Sequence, residues 1–386
     1  MAEQDNKNQF LNILKTKKLH LTSNKWLTKI ESYDVSDVDR VLSRPPGRYD
    51  IESLSILLSP AAEQRLEQMA QLARQLTIQR FGRTVHLYAP LYLSNLCCNS
   101  CLYCGFNKDA EYEKTRLTID QAVRDAEIIH NEGFRDLLLV SSEDRQWVTI
   151  DYLCELAERL RDKFSSLSIE IHQLEKDQYK KLFEAGIEGV TIYQETYFRD
   201  VYEKFHPAGP KADYARRIRA ADDLCSAGMR NIGLGALLGL NDYRLDTLSL
   251  AEHAYYLMKK YLQSRVPFSF PRIRPANKVQ AQMFDDIVTD TQLTQMVLAL
   301  RLSFADTGLV LSTRESAELR DNFLNLGITR VSAGSKTNPG GYSSDCKATE
   351  QFEIDDSRSP AEVAQKIRQS GLEPVWKDWD RNFIGK

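Results

Sequence analysis

From about residue 84 onward, short apolar runs alternate with longer amphipathic stretches, and this constrains the fold more than any other feature of the chain. Runs at 85–92, 136–140, 167–171, 189–193, 231–237, 266–270, 309–312 and 329–332 predict strands. Stretches at 119–131, 152–164, 176–185, 213–227, 247–262, 291–304 and 317–324 predict helices between them. Repeated strand–helix crossovers make parallel neighbours, so the pattern predicts an α/β chain built on a closed (β/α)8 TIM-type barrel over residues 81–335. A six-strand partial barrel or an open doubly wound sheet fits the same pattern. Residues 1–80 predict an N-terminal helical extension, with Leu66, Met69, Ala70, Ala73 and Leu76 on one face and a turn at Pro45-Pro46-Gly47. Residues 336–386 are expected to pack on the barrel as a C-terminal extension.

In such a barrel chemistry gathers at the carboxyl ends of the strands. Just past the predicted strands come Ser141-Ser142-Glu143, Glu170 with His172, Gln194-Glu195, Gly239 with Asp242, Arg272 with Arg274, Thr313-Arg314-Glu315 and Ser335-Lys336. Each alone is an ordinary solvated loop; together they predict one polar mouth.

The loop after the first strand holds Cys97, Cys101 and Cys104 in a C-x3-C-x2-C run, with Cys98 beside the first. A zinc site usually takes four ligands in paired knuckles, and Cys98 is badly placed to be the fourth. A disulfide is disfavoured, because the other cysteines (Cys154, Cys225, Cys346) are scattered and nothing resembles a secretory signal. Three thiolates around a four-iron cubane leave one iron open to a small chelating molecule.

The chain is 42% hydrophobic and 27% charged with a formal net charge of −3, so no basic footprint for nucleic acid or an anionic membrane is expected. No apolar run approaches the roughly 18–20 residues of a membrane span. A cytoplasmic, reducing setting is the expectation.

The cysteine spacing, with Tyr103 just before the last cysteine, resembles that of the radical S-adenosylmethionine (SAM) superfamily. Further stretches are similar to its tyrosine-lyase branch, the 2-iminoacetate synthase family of thiamine thiazole biosynthesis. They are Tyr92-Leu-Ser-Asn-Leu-Cys97, Tyr193-Gln-Glu-Thr-Tyr197, Phe268-Ser-Phe-Pro-Arg-Ile-Arg-Pro275 and Ser312-Thr-Arg-Glu315. Ser332-Ala-Gly-Ser-Lys-Thr337, Pro339-Gly-Gly-Tyr342 and Glu373-Pro-Val-Trp-Lys-Asp-Trp379 continue the likeness to the end of the chain. It implies one [4Fe-4S] cluster on Cys97, Cys101 and Cys104, with SAM on the open iron.

Cofactor-binding positions follow from the same resemblance. Ser142 and Glu143 stand where the superfamily usually has Gly-Gly-Glu for the SAM amino group, and both glycines are serine here. Leu237 lies in Gly233-Leu-Gly235-Ala-Leu-Leu-Gly239, which resembles the strand that backs the adenine; close packing by glycine accounts for it equally. Arg217 would pair with the SAM carboxylate, with Arg216 and Arg219 as rivals. Glu170 is placed to bind the SAM ribose or a substrate amine, or is a salt-bridged strand end.

For an amino-acid substrate, Arg314 is the carboxylate clamp, with Arg272 and Arg274 behind it and Ser332 and Ser335 as donors. Tyr92 would orient the amine. Tyr193 and Tyr197 fit packing as well as contact, and His206 and Lys211 are expected in a solvated loop. The resemblance implies hydrogen-atom abstraction from L-tyrosine and Cα–Cβ cleavage to 2-iminoacetate and p-cresol. It also implies a thiazole synthase partner and a flavodoxin- or ferredoxin-type reductant. A hydrogenase-maturation tyrosine lyase would need a second cysteine motif, and only Cys346 lies beyond Cys225. A tryptophan lyase, or a non-catalytic iron–sulfur or zinc scaffold, remains open.

Overall fold

The computed structural model describes residues 9–19, 24–277, 279, 283–343 and 348–377, so Cys346 and Trp379 lie outside the described residues. Its centre is a closed barrel of eight parallel strands: β1 Thr84–Ser94, β2 Asp136–Ser141, β3 Ser166–Glu170, β4 Gly189–Glu195, β5 Asn231–Ala236, β6 Phe268–Ser269, β7 Leu309–Leu311 and β8 Arg330–Ser332. β8 closes on β1 in the register His86 to Arg330, and β1 meets β2 in the register Ala89 to Leu137. A ninth strand, β9 (Glu373–Val375), pairs in parallel with the start of β1.

Two-residue periodicity sorts the side chains. Leu137 and Leu139 of β2 face the helices, while Leu138 and Val140 face the lumen with Tyr88 and Tyr92 of β1. The lumen around β3 to β5 is polar and interlocked. A Cβ added at Gly235 would lie 2.4 Å from the Tyr193 ring, and one at Gly233 would lie 2.7 Å from Thr191 Oγ1. These glycines are the space into which the β4 side chains fold.

Helices Ile119–Asn131, Ile150–Leu160, Lys176–Glu184, Tyr214–Ser226, Tyr243–Lys260, Asp290–Ser303 and Ala317–Phe323 lie between the strands. Capping boxes start the first at Thr118/Gln121 and the sixth at Thr289/Gln292. The segment before β1 is helical: Gln9–Lys17, Asn24–Ser32, Val35–Leu42, Ile51–Leu57, Pro60–Glu63 and Leu66–Phe81. It packs on the helices after β4, β5 and β6, with Phe10 stacked on His253 at 3.9 Å. No helix among the described residues is long and apolar enough to cross a membrane.

Four elements differ from the sequence reading. β6 is only two residues long, because Pro267 and Pro271 flank it without N–H donors for the ladder. A helix at Arg199–Phe205 occupies a stretch expected as loop, and helix Pro360–Gln369 with β9 had no predicted counterpart.

After β8 the chain crosses the barrel mouth and is pinned by a buried ion pair. Arg320 bonds Asp356 and the Ser332 carbonyl, with the two side chains 3% and 0% exposed. Burial alone would push the Asp356 carboxyl up, but Arg358 and Arg320 outweigh it and hold it below the usual carboxylate range. Asp356→Ala strands the Arg320 charge in the core and is expected to cost about 3–5 kcal/mol, read from urea unfolding of the apoprotein. A depressed carboxylate stabilises above its ordinary pKa of 3.8 and loses that contribution below it. The gap between parent and variant should therefore hold from neutral pH down to about 4 and narrow further down.

Candidate active site

A cavity opens at the carboxyl ends of the strands. Cys97, Cys101 and Cys104 form one part of its wall, on the loop that leaves β1. The neck of this loop is closed by the Asn95 and Leu117 N–H groups, which donate to Thr115 and Leu93 carbonyls, and by Asn95 Oδ1, which accepts from the Thr115 N–H at 2.6 Å. Asp144, just past β2, takes the Ser94 hydroxyl at 2.7 Å and both arms of the Arg116 fork at 2.7 and 2.9 Å.

Donors surround the sulfurs. The Asn99 backbone and side-chain N–H groups lie 3.5 and 3.7 Å from Cys97 Sγ, and Gln351 Nε2 lies 3.9 Å from Cys104 Sγ. Burial pushes the Cys101 thiol up to about 12 and raises Cys104 as well, so thiolate ligation depends on the charge of a bound metal. Among the described residues no three His, Cys, Asp or Glu groups converge as for a single ion. Three spaced thiols with N–H donors, on one loop facing a cavity, suit a cluster better than a zinc ion. Cys98 is exposed and off the cavity wall.

Ser142, Glu143, Glu170, Arg217, Leu237 and Tyr103 also line the cavity. Ser141 and Ser142 have negative φ, since only Lys18 and Glu195 among described non-glycine residues do not; serine therefore strains no backbone at either position. The Ser142 N–H donates to the Ser94 carbonyl at 3.1 Å and knits the loop to β1. Glu143 accepts from Asn99 at 2.7 Å and from Arg145 at 2.6 and 2.8 Å. Burial would push it up, yet these bonds hold it below the usual range. Arg217 points two donors at the Tyr193 carbonyl, at 2.6 and 2.8 Å, beside the cavity. Its rivals face away: Arg216 pairs with Glu175 and Arg219 with Asp223. Burial pushes Glu170 up to about 7, with Arg314 opposing it. Leu237 packs with Phe205, Leu240 and the partly buried Tyr103 into an apolar shelf.

Tyr92, Arg314, Ser332 and Ser335 line the remaining wall. The Tyr92 hydroxyl donates to Gln351 at 2.7 Å. The Arg314 guanidinium sits 3.5 Å from the Phe352 ring centroid, held by cation–π attraction. Ser332 Oγ accepts from the Thr313 N–H at 3.1 Å, while the buried Ser335 Oγ has no protein partner. Arg274 reaches the cavity and pairs with Asp355; Arg272 lies off it, bound to Glu315, Asp290 and the Val288 carbonyl.

The expectation of a solvated loop at His206 and Lys211 is overturned. His206 is 2% exposed; its Nδ1–H donates to the Tyr202 carbonyl at 2.7 Å, so Nε2 accepts from the Tyr103 hydroxyl at 2.7 Å. Burial depresses it to about 3 and keeps it neutral. Lys211 enters the cavity wall and pairs with Glu195 at 2.5 Å. Glu195 sits at φ +71°, a left-handed conformation costly for a residue with a Cβ, on a bulge at the end of β4. Tyr193 lines the cavity, whereas Tyr197 is core, fully buried against Phe10 and His253. Sequence reasoning also missed Asn99, Gln351 and Phe352. Asn99 lay within the cysteine run, but nothing local marked the other two.

Comparison with known proteins agrees with this geometry. The Radical SAM superfamily matches residues 91–251, and the Biotin and Thiamin Synthesis associated domain matches 269–373. The 2-iminoacetate synthase of Escherichia coli (strain K12) is 42% identical over 93% of this chain and 94% of its own length. That of Salmonella typhimurium is 43% identical over the same shares. The crystal structure of HydG, a maturase of the [FeFe]-hydrogenase, superposes with a TM-score of 0.87 at 32% identity, over 93% of this chain and 80% of that one. The chain belongs to the 2-iminoacetate synthase family of radical SAM enzymes.

Proposed function

We propose that this chain cleaves the Cα–Cβ bond of L-tyrosine to 2-iminoacetate and p-cresol, supplying the glycine-derived unit of the thiamine thiazole ring. The observation that carries the reading is one cavity with three cysteine thiols on one wall and amino-acid-binding groups on another. Together the [4Fe-4S] cluster and SAM supply reductive C–S cleavage and an adenosyl radical able to take a hydrogen atom.

In this reading Cys97, Cys101 and Cys104 hold the cluster. Glu143, already ionised by its partners, faces the SAM amino group, and Arg217 keeps free N–H donors for the SAM carboxylate. Leu237 and Tyr103 give the adenine an apolar shelf, the tyrosine ring fixed by His206. Arg314, with its guanidinium pinned by Phe352, clamps the substrate carboxylate. The unpartnered Ser335 hydroxyl adds a donor, as does Ser332. Tyr92 and Glu170 face the amine. The chain's contribution is orientation and exclusion of water.

The free 2-iminoacetate hydrolyses readily, so a thiazole synthase subunit is the proposed acceptor and a flavodoxin- or ferredoxin-type protein the proposed electron donor. The setting is the reducing cytoplasm.

Anaerobic reconstitution with iron and sulfide, followed by SAM, reductant and tyrosine, should yield 5′-deoxyadenosine and p-cresol in step. Deoxyadenosine without p-cresol would assign another substrate. Cys101→Ala should lose both cluster iron and SAM cleavage; normal turnover would remove Cys101 from the cluster. Arg314→Ala should slow p-cresol release by about 10- to 100-fold, the scale of one charge-assisted hydrogen bond, with a smaller effect on uncoupled SAM cleavage. Equal loss of both would place Arg314 with the cofactor instead.

A further inference from the structure

Residues 348–356 form a strap across the barrel mouth, and Gln351 is its innermost point of contact with the chemistry. Its amide has two unlike ends, and each meets a different part of the site. The carbonyl oxygen accepts the Tyr92 hydroxyl at 2.7 Å, and the NH2 end lies 3.9 Å from Cys104 Sγ. We propose that Gln351 is a positioning residue that joins Tyr92 to the cluster ligand Cys104, so that one amide sets both the orientation of the phenol and the electron density at the sulfur.

The strap holds this amide from both sides. The Gln351 N–H donates to the Thr337 carbonyl at 3.0 Å, and Thr337 Oγ1 donates to the Phe352 carbonyl at 3.2 Å. The Glu353 N–H donates to the Pro275 carbonyl at 3.1 Å, and the Asp355 and Asp356 N–H groups donate to the Thr313 carbonyl at 3.0 and 3.2 Å. The contact with the cysteine loop is close: a Cβ at Gly105 would lie 2.6 Å from the Gln351 backbone carbonyl oxygen. Only a residue without a side chain lets the strap approach the position after Cys104.

Glutamine is the residue that satisfies both ends. Its oxygen serves the Tyr92 hydroxyl, and its N–H groups face a sulfur that is anionic when ligated. Glutamate would keep the first bond and set a negative charge against the thiolate. An aliphatic side chain would keep neither. Hydrogen bonds to ligand sulfurs are among the determinants of cluster potential, because they stabilise the more negative, reduced form. Losing the donor therefore lowers the midpoint.

This inference rests on the tyrosine-lyase reading for the role of Tyr92, but its link to Cys104 is tested separately. Reconstituted parent, Gln351→Glu, Gln351→Leu, Tyr92→Phe and the Tyr92→Phe/Gln351→Leu double variant are compared for iron and sulfide content, cluster midpoint potential by EPR-monitored titration, and deoxyadenosine formed per p-cresol. Gln351→Glu and Gln351→Leu should both have lower midpoints than the parent, and Tyr92→Phe should not. Tyr92→Phe and Gln351→Leu should each raise deoxyadenosine per p-cresol by about 2- to 10-fold, the scale of one neutral hydrogen bond. The double variant should go no further than the more affected single one, because both remove the same bond. Unchanged midpoints in iron-replete Gln351 variants, or single effects that multiply in the double variant, would overturn the proposal. Should Gln351→Leu fail to hold iron, the Gln351→Glu midpoint decides: lower supports the link, unchanged refutes it. A parent that yields neither product would sink the lyase reading, while the midpoint comparison would still test the bond to Cys104.

Discussion

Asp144 holds the site together. Its carboxylate is buried, 5% exposed, and takes the Ser94 hydroxyl and the Arg116 fork across the neck of the cysteine loop. Ser94 in turn accepts the Leu96 N–H at 3.1 Å, one residue before the first cysteine. A loop of twenty-odd residues carrying three thiols has no core of its own, and it orders only if its two ends are fixed. The charge-assisted bonds at Asp144 fix them where β1 and β2 end side by side. The preceding residue, Glu143, reaches Asn99 inside the loop. Three consecutive residues, Glu143, Asp144 and Arg145, thus position the cysteine loop and a cavity-lining carboxylate together.

The same juxtaposition explains the polar lumen. A (β/α)8 barrel is ordinarily filled by branched apolar side chains. Here Ser168, Thr191, Tyr193 and Glu170 face inward, and Gly189, Gly233 and Gly235 on the neighbouring strands make room for three of them. Polar atoms in the lumen cost desolvation unless partnered, and Tyr193 finds Ser269 at 3.0 Å. Ser168 Oγ has no partner, and burial lifts Glu170 toward neutrality. A floor of this kind is tolerable where a polar ligand completes it.

The barrel and most of the site were legible in the sequence because their signals are local. Strand and helix periods repeat over short windows, and helix Ile119–Asn131 starts where predicted because Thr118 and Gln121 cap it. The three cysteines stand within eight residues, and most residues placed at the mouth by strand-end position line one cavity, whereas Gln194, Gly239, Asp242, Arg272, Glu315 and Lys336 lie off it. What escaped was built from pairs far apart in the chain. Tyr92 and Gln351 are separated by 259 residues, and Lys211 meets Glu195 only because helix Arg199–Phe205 turns the chain back over β4. His206 looked like a loop residue because nothing in its neighbourhood reveals Tyr103 against it. β6 fell short because two prolines removed donors that an apolar run alone does not reveal.

The C-terminal segment is therefore part of the cavity wall and not an appendage. Arg320 reaches from the helix after β7 to Asp356 and the Ser332 carbonyl, so one buried cation ties the strap to a cavity-lining strand end. From that anchor the strap runs back through Phe352, which pins Arg314, to Gln351, which meets Tyr92 and the cysteine loop. Without the strap Arg314 would lose its ring, Tyr92 its acceptor and Cys104 a donor, and the mouth would open to water. Radical chemistry punishes both misplacement and solvent, since a reactive species that meets the wrong hydrogen is spent. A barrel alone can seat three thiols; the strap holds Arg314 and Tyr92 in register with them.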